Sequence, residues 1–383
     1  MSGPDQMPAD DVAQQSPDDA GPGPDAPSGR AEADPDLGRT DAGDAREAGE
    51  AGTTEGGTRR RTVVSSGIRL AVFEDGDPAD QTVLLVHGYP DTHRIWDRVA
   101  ADLAADHRVV RYDVRGAGGS DAPADLRGYR LDRLADDLFA VIEAVSADRP
   151  VHLAAHDWGS IQAWHAATDP RAAGRIASYT SISGPCLDHV GRWSRRRLAK
   201  PTPRNLGQLL NQQRKSWYIA AFHVPLLAPA AWRLGLARNW GALLHRLEGV
   251  TPGPDHPQPT LADDAVRGLN LYRANMLRHV LRPASRPTRV PVQLITLTRD
   301  RFVSPALSDD LDEWVPRLWR RSIPAAHWSA LTDQSAATAR VIRQFAAHIS
   351  GAAPGTDTSE ADAELDRARS VPRVSAVPGD QRD

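Results

Sequence analysis

Cysteine is almost absent: Cys186 is the only one in 383 residues, which excludes an internal disulfide framework and fits a reducing compartment. A lone thiol of this kind reads as a small buried side chain. Lysine is nearly as scarce, with Lys200 and Lys215 alone among many arginines, a bias attributed to codon usage rather than function. No run of about 18 apolar residues is present. The longest candidate, Tyr218 to Trp232, is broken by His223, Pro225 and Pro229, so a membrane span is not expected. The start of the chain lacks the basic, apolar and small-residue succession of a secretory signal, and the expected location is the cytoplasm.

What is present is unevenly spread. Residues 1–60 hold 14 Asp plus Glu against 5 Arg, whereas the remainder holds 36 acids against 41 Lys plus Arg. That mild basic excess is too dispersed to suggest a nucleic-acid partner, which needs a concentrated basic face. Residues 1–60 are rich in Asp, Gly, Pro and Ala and have almost no large apolar side chain. They cannot bury enough surface to offset ordering entropy, and are read as a disordered acidic tail rather than an interaction arm. Residues 351–383 are read as a second tail, with a short helix at Glu360 to Arg369.

Between the tails, short β-branched runs alternate with helical periods, the pattern of a mostly parallel sheet wrapped by helices. Eight strands are predicted: Thr62–Val64, Ile68–Phe73, Thr82–Val86, Arg108–Tyr112, Val151–Ala155, Ile176–Ile182, Val292–Leu297 and Leu318–Ile323. Helices are expected at Trp96–Ala105, Leu131–Val145, Ile161–Thr168, Pro305–Val315 and Ala336–His348. Residues 186–288 break the rhythm with helical sequence rich in Arg, Leu and Trp, which reads as a helical cap. It divides the α/β core into residues 61–185 and 289–350.

The decisive stretch is Val151 to Ser160, VHLAAHDWGS, an apolar strand running into a turn and then a helix. Ala155 and Gly159 flank Asp157 at the two positions where a sharp nucleophile elbow needs small residues. An isolated Asp before a helix would read as an N-cap; within this pattern Asp157 reads as a nucleophile. Ser160 falls past the turn, in the helix. A carboxylate attacking a saturated carbon leaves an ester that water can cleave, whereas a serine would leave an inert ether. The chemistry indicated is therefore the opening of an epoxide or the displacement of an alkyl halide.

The strand Thr82–Val86 ends in His87-Gly88-Tyr89-Pro90. The backbone N–H groups of Tyr89 and Trp158 are the predicted oxyanion donors. After the cap, the strand ending at Leu297 leads to Asp300, the residue expected to orient a base. Among 13 histidines, His327 alone follows the last strand in a loop before the final helix, and it is the predicted general base. The chain order nucleophile, acid, histidine is that of the α/β-hydrolase topology. His152 and His156 lie on a strand and no HExxH is present, so neither a metal nor any other cofactor is expected.

HGYP at residues 87–90, DVRGAGGSD at 113–121, HDWG at 156–159 and AHW at 326–328 together resemble the soluble epoxide hydrolases of the α/β-hydrolase superfamily. Haloalkane dehalogenases share most of these motifs. The resemblance implies two cap tyrosines that hydrogen-bond the epoxide oxygen, and Tyr218 (in SWY) and Tyr272 (in LNLYR) match those positions; dehalogenases tend to place a halide-binding Asn or Trp near the site, and position 89 is Tyr rather than Asn. SGPCLDHV at 183–190 is similar to the hydrolase half of fused epoxide hydrolase and short-chain dehydrogenase proteins, which implies a small lipophilic substrate. This sequence has no Gly-rich dinucleotide fingerprint, so no NAD site is carried over. The competing readings are a dehalogenase with the same nucleophile and a non-catalytic binding protein on this scaffold. The apolar segment Tyr218–Trp232, preceded by Arg195-Arg196-Arg197, is read as lining the pocket in preference to resting on a membrane surface. Oligomeric state is not legible.

Overall fold

The computed structural model describes residues 54–55, 57–251, 253, 256–351 and 369–370. Most of the two predicted tails, including the helix read at Glu360 to Arg369 as far as residue 368, lies outside the described residues.

Ten described strands form one sheet. They are β1 (Thr54–Glu55), β2 (Thr58–Ser65), β3 (Ile68–Asp75), β4 (Thr82–Val86), β5 (Arg108–Tyr112), β6 (Val151–His156), β7 (Ile176–Ile182), β8 (Val292–Leu297), β9 (Leu318–Ile323) and β10 (Arg369–Ser370). Their order is β1-β2-β3-β5-β4-β6-β7-β8-β9-β10. Strands β5 to β9 run parallel to one another, with antiparallel pairings at both ends of the sheet. Apart from the two-residue edges β1 and β10, these are the eight strands expected.

The first long strand starts earlier than the sequence suggested, at Thr58 rather than Thr62. Its polar opening, Thr58 to Arg61, shows no apolar alternation because charge pairs it with the neighbouring strand. Arg61 Nε lies 2.7 Å from Glu74 Oε1 on β3, and Glu74 is buried. The predicted tail boundary at residue 60 therefore falls inside a strand.

Every residue of β4 and β6 is buried, as strands of a parallel sheet are when helices cover both faces. The helices of the core are α1 (Asp97–Leu103), α2 (Leu131–Val145), α3 (Trp158–Ala167) and α10 (Ser335–Ser350); α1 packs with α10 and α2 with α3. The chain passes from β4 to β5 on one side, then returns across β4 to β6. That reversal opens a crevice at the carboxyl ends of β4 and β6, the usual place for a ligand in an open α/β sheet.

Between β7 and β8 lie only helices among the described residues: α4 (Leu187–Ala199), α5 (Pro203–Lys215), α6 (Trp217–His223), α7 (Leu227–Ala231), α8 (Trp240–Glu248) and α9 (Leu261–Leu281). Asp188 ties the beginning of this excursion to its end. It accepts from Ala284 N–H at 2.8 Å, Arg286 Nε at 3.0 Å and His279 Nδ1 at 3.1 Å.

One predicted helix is absent. Residues Pro305–Val315 form two single 3₁₀ turns, Pro305–Ser308 and Leu311–Glu313. Their acidic side chains are drawn toward the cap: Arg197 Nη1 donates to Asp310 at 2.9 Å and Nη2 to Asp309 at 3.2 Å. Gln212 adds bonds to Phe302 C=O at 3.0 Å and Ser304 N–H at 2.9 Å. The segment is thus fastened from outside at several points, which favours short turns over one continuous helix.

Candidate active site

Asp157 occupies the corner between β6 and α3 at φ 53° and ψ −125°, a region that a non-glycine residue enters only when its surroundings over-determine it. The surroundings do so sterically. A Cβ on Gly159 would lie 2.3 Å from Val86 C=O, and one on Gly88 would lie 2.4 Å from Asp157 Oδ1. Both positions need glycine for close approach, one of helix to strand and one of backbone to carboxylate. Helix α3 begins at Trp158, three residues before the predicted start.

The loop after β4 delivers the predicted donor: Tyr89 N–H donates to Asp157 Oδ1 at 2.8 Å. Trp158 N–H stands at the first position of α3, next to Asp157 in sequence. His87 holds this loop in place. Its Nε2 accepts from Val114 N–H at 2.9 Å, so the proton sits on Nδ1, which faces Gly88 C=O at 2.9 Å. The DVRGAGGSD motif wires the neighbouring loop to the same corner, with Asp113 accepting from His93 N–H at 2.8 Å and Gly119 N–H at 2.9 Å.

His327 and Asp300 arrive from the carboxyl ends of β9 and β8. His327 Nε2 is 3.5 Å from Asp157 Oδ2, and its Nδ1 is 3.2 Å from Asp300 Oδ2. Asp300 Oδ1 also accepts from Phe302 N–H at 2.6 Å and Val303 N–H at 3.0 Å. Burial disfavours the charged form of both residues, but their mutual attraction outweighs it. Asp300 is held down to about 2. His327 is lifted well above the usual imidazole range, chiefly by Asp300 and further by Asp157. The imidazole thus keeps its Nδ1 proton toward Asp300 and turns Nε2 to Asp157.

Two neighbours of the histidine had no assigned role in the sequence. Ser183, at φ 50° just beyond β7, places its hydroxyl 2.8 Å from His327 Nδ1 and donates to Asp300 Oδ2. Its position at the carboxyl end of a central strand was the available signal. His156 Nε2 donates to His327 C=O at 3.0 Å, and burial drives its own ring down to about 4, so it stays neutral at pH 7. Ser160 lies inside α3 as expected and is absorbed in bonds to Tyr179 Oη at 2.6 Å and Gly184 C=O at 2.7 Å. Cys186 is buried, and burial pushes its thiol up to about 12.

The cap brings both of its predicted tyrosines to the site. Tyr272 (α9) packs edge-on against Trp158, ring centroids 4.7 Å apart, and Tyr218 (α6) lies 6.2 Å from Tyr272. From Tyr218 the aromatic wall continues to Phe302 at 5.6 Å and on to His327 at 5.0 Å. Burial, and then the charge of Asp157, push the Tyr218 phenol above its ordinary value; burial, Tyr218 and Asp157 do the same to Tyr272. Both hydroxyls therefore keep their protons at neutral pH. Among the described residues no cluster of His, Cys, Asp and Glu has the geometry of a metal site. The arrangement combines a carboxylate at a sharp strand-to-helix corner, a histidine able to take a proton, and two apolar-set phenols able to give one.

A family described as alpha/beta hydrolase fold matches residues 81–334. A Mycobacterium tuberculosis protein named probable oxidoreductase EphD is 40% identical over 283 residues, which cover 72% of this chain and 47% of that protein. The chain thus spans about half the length of this relative. Epoxide hydrolase 3 of Xenopus tropicalis is 26% identical over 294 residues, covering 73% of this chain and 75% of that one. Among solved structures, an epoxide hydrolase of Vigna radiata superposes with a TM-score of 0.60 at 24% identity, covering 77% of this chain and 99% of that one.

Proposed function

Given that the chain belongs to the α/β-hydrolase fold family, we propose that it hydrolyses a lipophilic epoxide to a vicinal diol through an ester on Asp157. The observation that carries this reading is the pair Tyr218 and Tyr272 standing over a nucleophile elbow whose nucleophile is a carboxylate. The Xenopus tropicalis relative named epoxide hydrolase 3 supports it.

In the first step Asp157 Oδ2 attacks one epoxide carbon, the C–O bond of the ring breaks, and the leaving oxygen takes a proton from a cap phenol. A phenol suits this because it stays protonated at pH 7 yet is a strong donor to an alkoxide. Their apolar setting strengthens the bond to the developing charge. In the second step water adds to the Asp157 carbonyl carbon while His327 Nε2 accepts its proton. The oxyanion forms on the oxygen that already faces Tyr89 N–H, with Trp158 N–H as its second donor; one such donor is typically worth about 3 kcal/mol. Collapse of this adduct breaks the ester bond, the departing alkoxide takes the adduct's hydroxyl proton to complete the diol, Asp157 returns as a carboxylate, and the proton held by His327 passes by way of solvent to restore the cap phenol.

Removing the phenols one at a time tests the assignment. Tyr218→Phe and Tyr272→Phe are each expected to slow ester formation roughly tenfold, and the double variant about 10³-fold, within the usual range for general-acid catalysis. A stopped-flow single turnover of a styrene-oxide-like epoxide, followed by product analysis beside a haloalkane panel, gives the answer. Unchanged epoxide turnover in the double variant, or halide release in place of diol, would refute the proposal.

A further inference from the structure

Helix α6 has two dissimilar faces. Tyr218 and Phe222 turn inward, with Phe222 5.0 Å from the Tyr272 ring, while the adjacent Trp217 is 69% exposed. The exposure continues along the chain. Leu226 is 82% exposed and Leu234 75%, with Leu227 and Val224 also exposed between α6 and the following helical turns. Leu206, Leu210 and Arg214 on α5, followed by Trp217 at the start of α6, recur at helical spacing, and every residue of α5 and α6 is at least partly exposed. No single described helix is long and apolar enough to cross a membrane. The pair Trp217–His223 and Leu227–Leu236 is apolar enough in sum, but it is bent by 100°. Such a hairpin can lie in an interface without spanning it.

Its charge is one-sided. From His189 to Leu247 the sequence holds eleven Arg or Lys and no Asp or Glu. Some of these cations are spent on the core, as Arg196 and Arg197 are on Glu313, Asp309 and Asp310. Arg204, Arg214, Arg233, Arg238 and Arg246 stay exposed in the same stretch of chain as the apolar side chains. Exposed large apolar residues interspersed with arginine, along a stretch from His189 to Leu247 that has no acid, complement a surface that is apolar beneath and negative on top.

We propose that this face of the cap docks on an anionic phospholipid bilayer, with Trp217, Leu226 and Leu234 entering the headgroup layer and Arg233 and Arg238 meeting the phosphates. The helix that carries Tyr218 over Asp157 then rests on the lipid, and a membrane-dissolved substrate has a short path to the nucleophile. That last consequence rests on the epoxide reading; the docking itself does not.

Co-sedimentation of the full chain with vesicles of phosphatidylglycerol and phosphatidylcholine, and with phosphatidylcholine alone, tests the docking without turnover. Binding is expected to the mixed vesicles, weaker by tenfold or more to the neutral ones, and to fall as salt screens the arginines. The triple variant Trp217→Ser, Leu226→Ser, Leu234→Ser should lose binding at least tenfold. The double variant Arg233→Glu, Arg238→Glu should lose the preference for the anionic lipid. Turnover of a water-soluble epoxide by the triple variant should stay within about twofold of the parent, which shows the fold intact. Equal sedimentation of parent and triple variant would overturn the proposal. So would an absence of vesicle binding together with a self-association, in sedimentation equilibrium, that the triple variant abolishes, since a second copy of the chain would then cover this face.

Discussion

Replacing Asp157 with Asn is expected to lower kcat for epoxide hydrolysis by at least about 10³-fold, in line with the loss of a covalent nucleophile in other hydrolases. The amide oxygen keeps the shape of the corner and still accepts from Tyr89 N–H, so the fold and substrate binding should survive. Attack on a saturated carbon, however, needs the charge and nucleophilicity of the carboxylate. Each factor of ten in rate corresponds to about 1.4 kcal/mol of barrier, so this substitution should cost roughly 4 kcal/mol or more in the transition state. Initial rates on freshly purified variant, with the peptide mass monitored for deamidation back to Asp, are the appropriate measurement. Parent-like turnover with Asn still in place would remove Asp157 from the mechanism.

His327→Gln should separate the two steps. Ester formation uses the Asp157 carboxylate and the cap phenols, so it should persist. Ester hydrolysis loses its base and should slow by about 10²- to 10⁴-fold. The covalent intermediate then accumulates, visible as a mass increase equal to the substrate on the peptide containing Asp157. The pH dependence follows from the surroundings of the imidazole. In the resting enzyme Asp300 and Asp157 together hold His327 protonated well above its usual range. Once Asp157 is an ester, its charge and its bond to Nε2 are gone, and burial and Asp300 alone remain. The imidazolium therefore gives up its proton at lower pH than in the resting state and becomes available as a base. In the parent, ester hydrolysis should rise with pH and level off, following deprotonation of His327 in the intermediate. On the alkaline side, ester formation should fall where the phenols, displaced upward by burial, begin to ionise. In His327→Gln the rising limb should vanish. A variant that neither accumulates ester nor loses this limb would show that another group activates the water.

Much of the site could be read from the sequence because it is built from strand ends. A sharp elbow tolerates only small flanking residues, so Ala155, Asp157 and Gly159 announce themselves in a short window. His87 to Tyr89, Asp300 and His327 each follow a recognisable strand. The phenols are a different matter. Tyr218 and Tyr272 sit in amphipathic helices, where a tyrosine is as readily a packing residue, and family resemblance rather than periodicity drew attention to them. Ser183 had no signal beyond its place after β7, since its importance arises only when β7, β8 and β9 lie side by side and bring it between Asp300 and His327. The start of β2 was hidden because Arg61 is paired with Glu74 in place of apolar contacts. The two 3₁₀ turns after Asp300 were hidden because cap residues distant in sequence, Arg197 and Gln212, decide their shape. Reading the apolar cap segment as pocket lining captured the inward residues Tyr218 and Phe222. It did not anticipate that Leu226 and Leu227 face outward, because bends between short helices turn nearby residues to opposite sides.

A single turnover in H₂¹⁸O, with enzyme in excess over the epoxide, addresses the covalent step most directly. If a bond forms from Asp157 to the substrate and water then cleaves it at the carboxyl carbon, the heavy oxygen enters the Asp157-containing peptide and the first diol released carries none. Heavy oxygen found in that first diol, with an unlabelled peptide, would mean that water opens the ring directly and that Asp157 never bonds to the substrate.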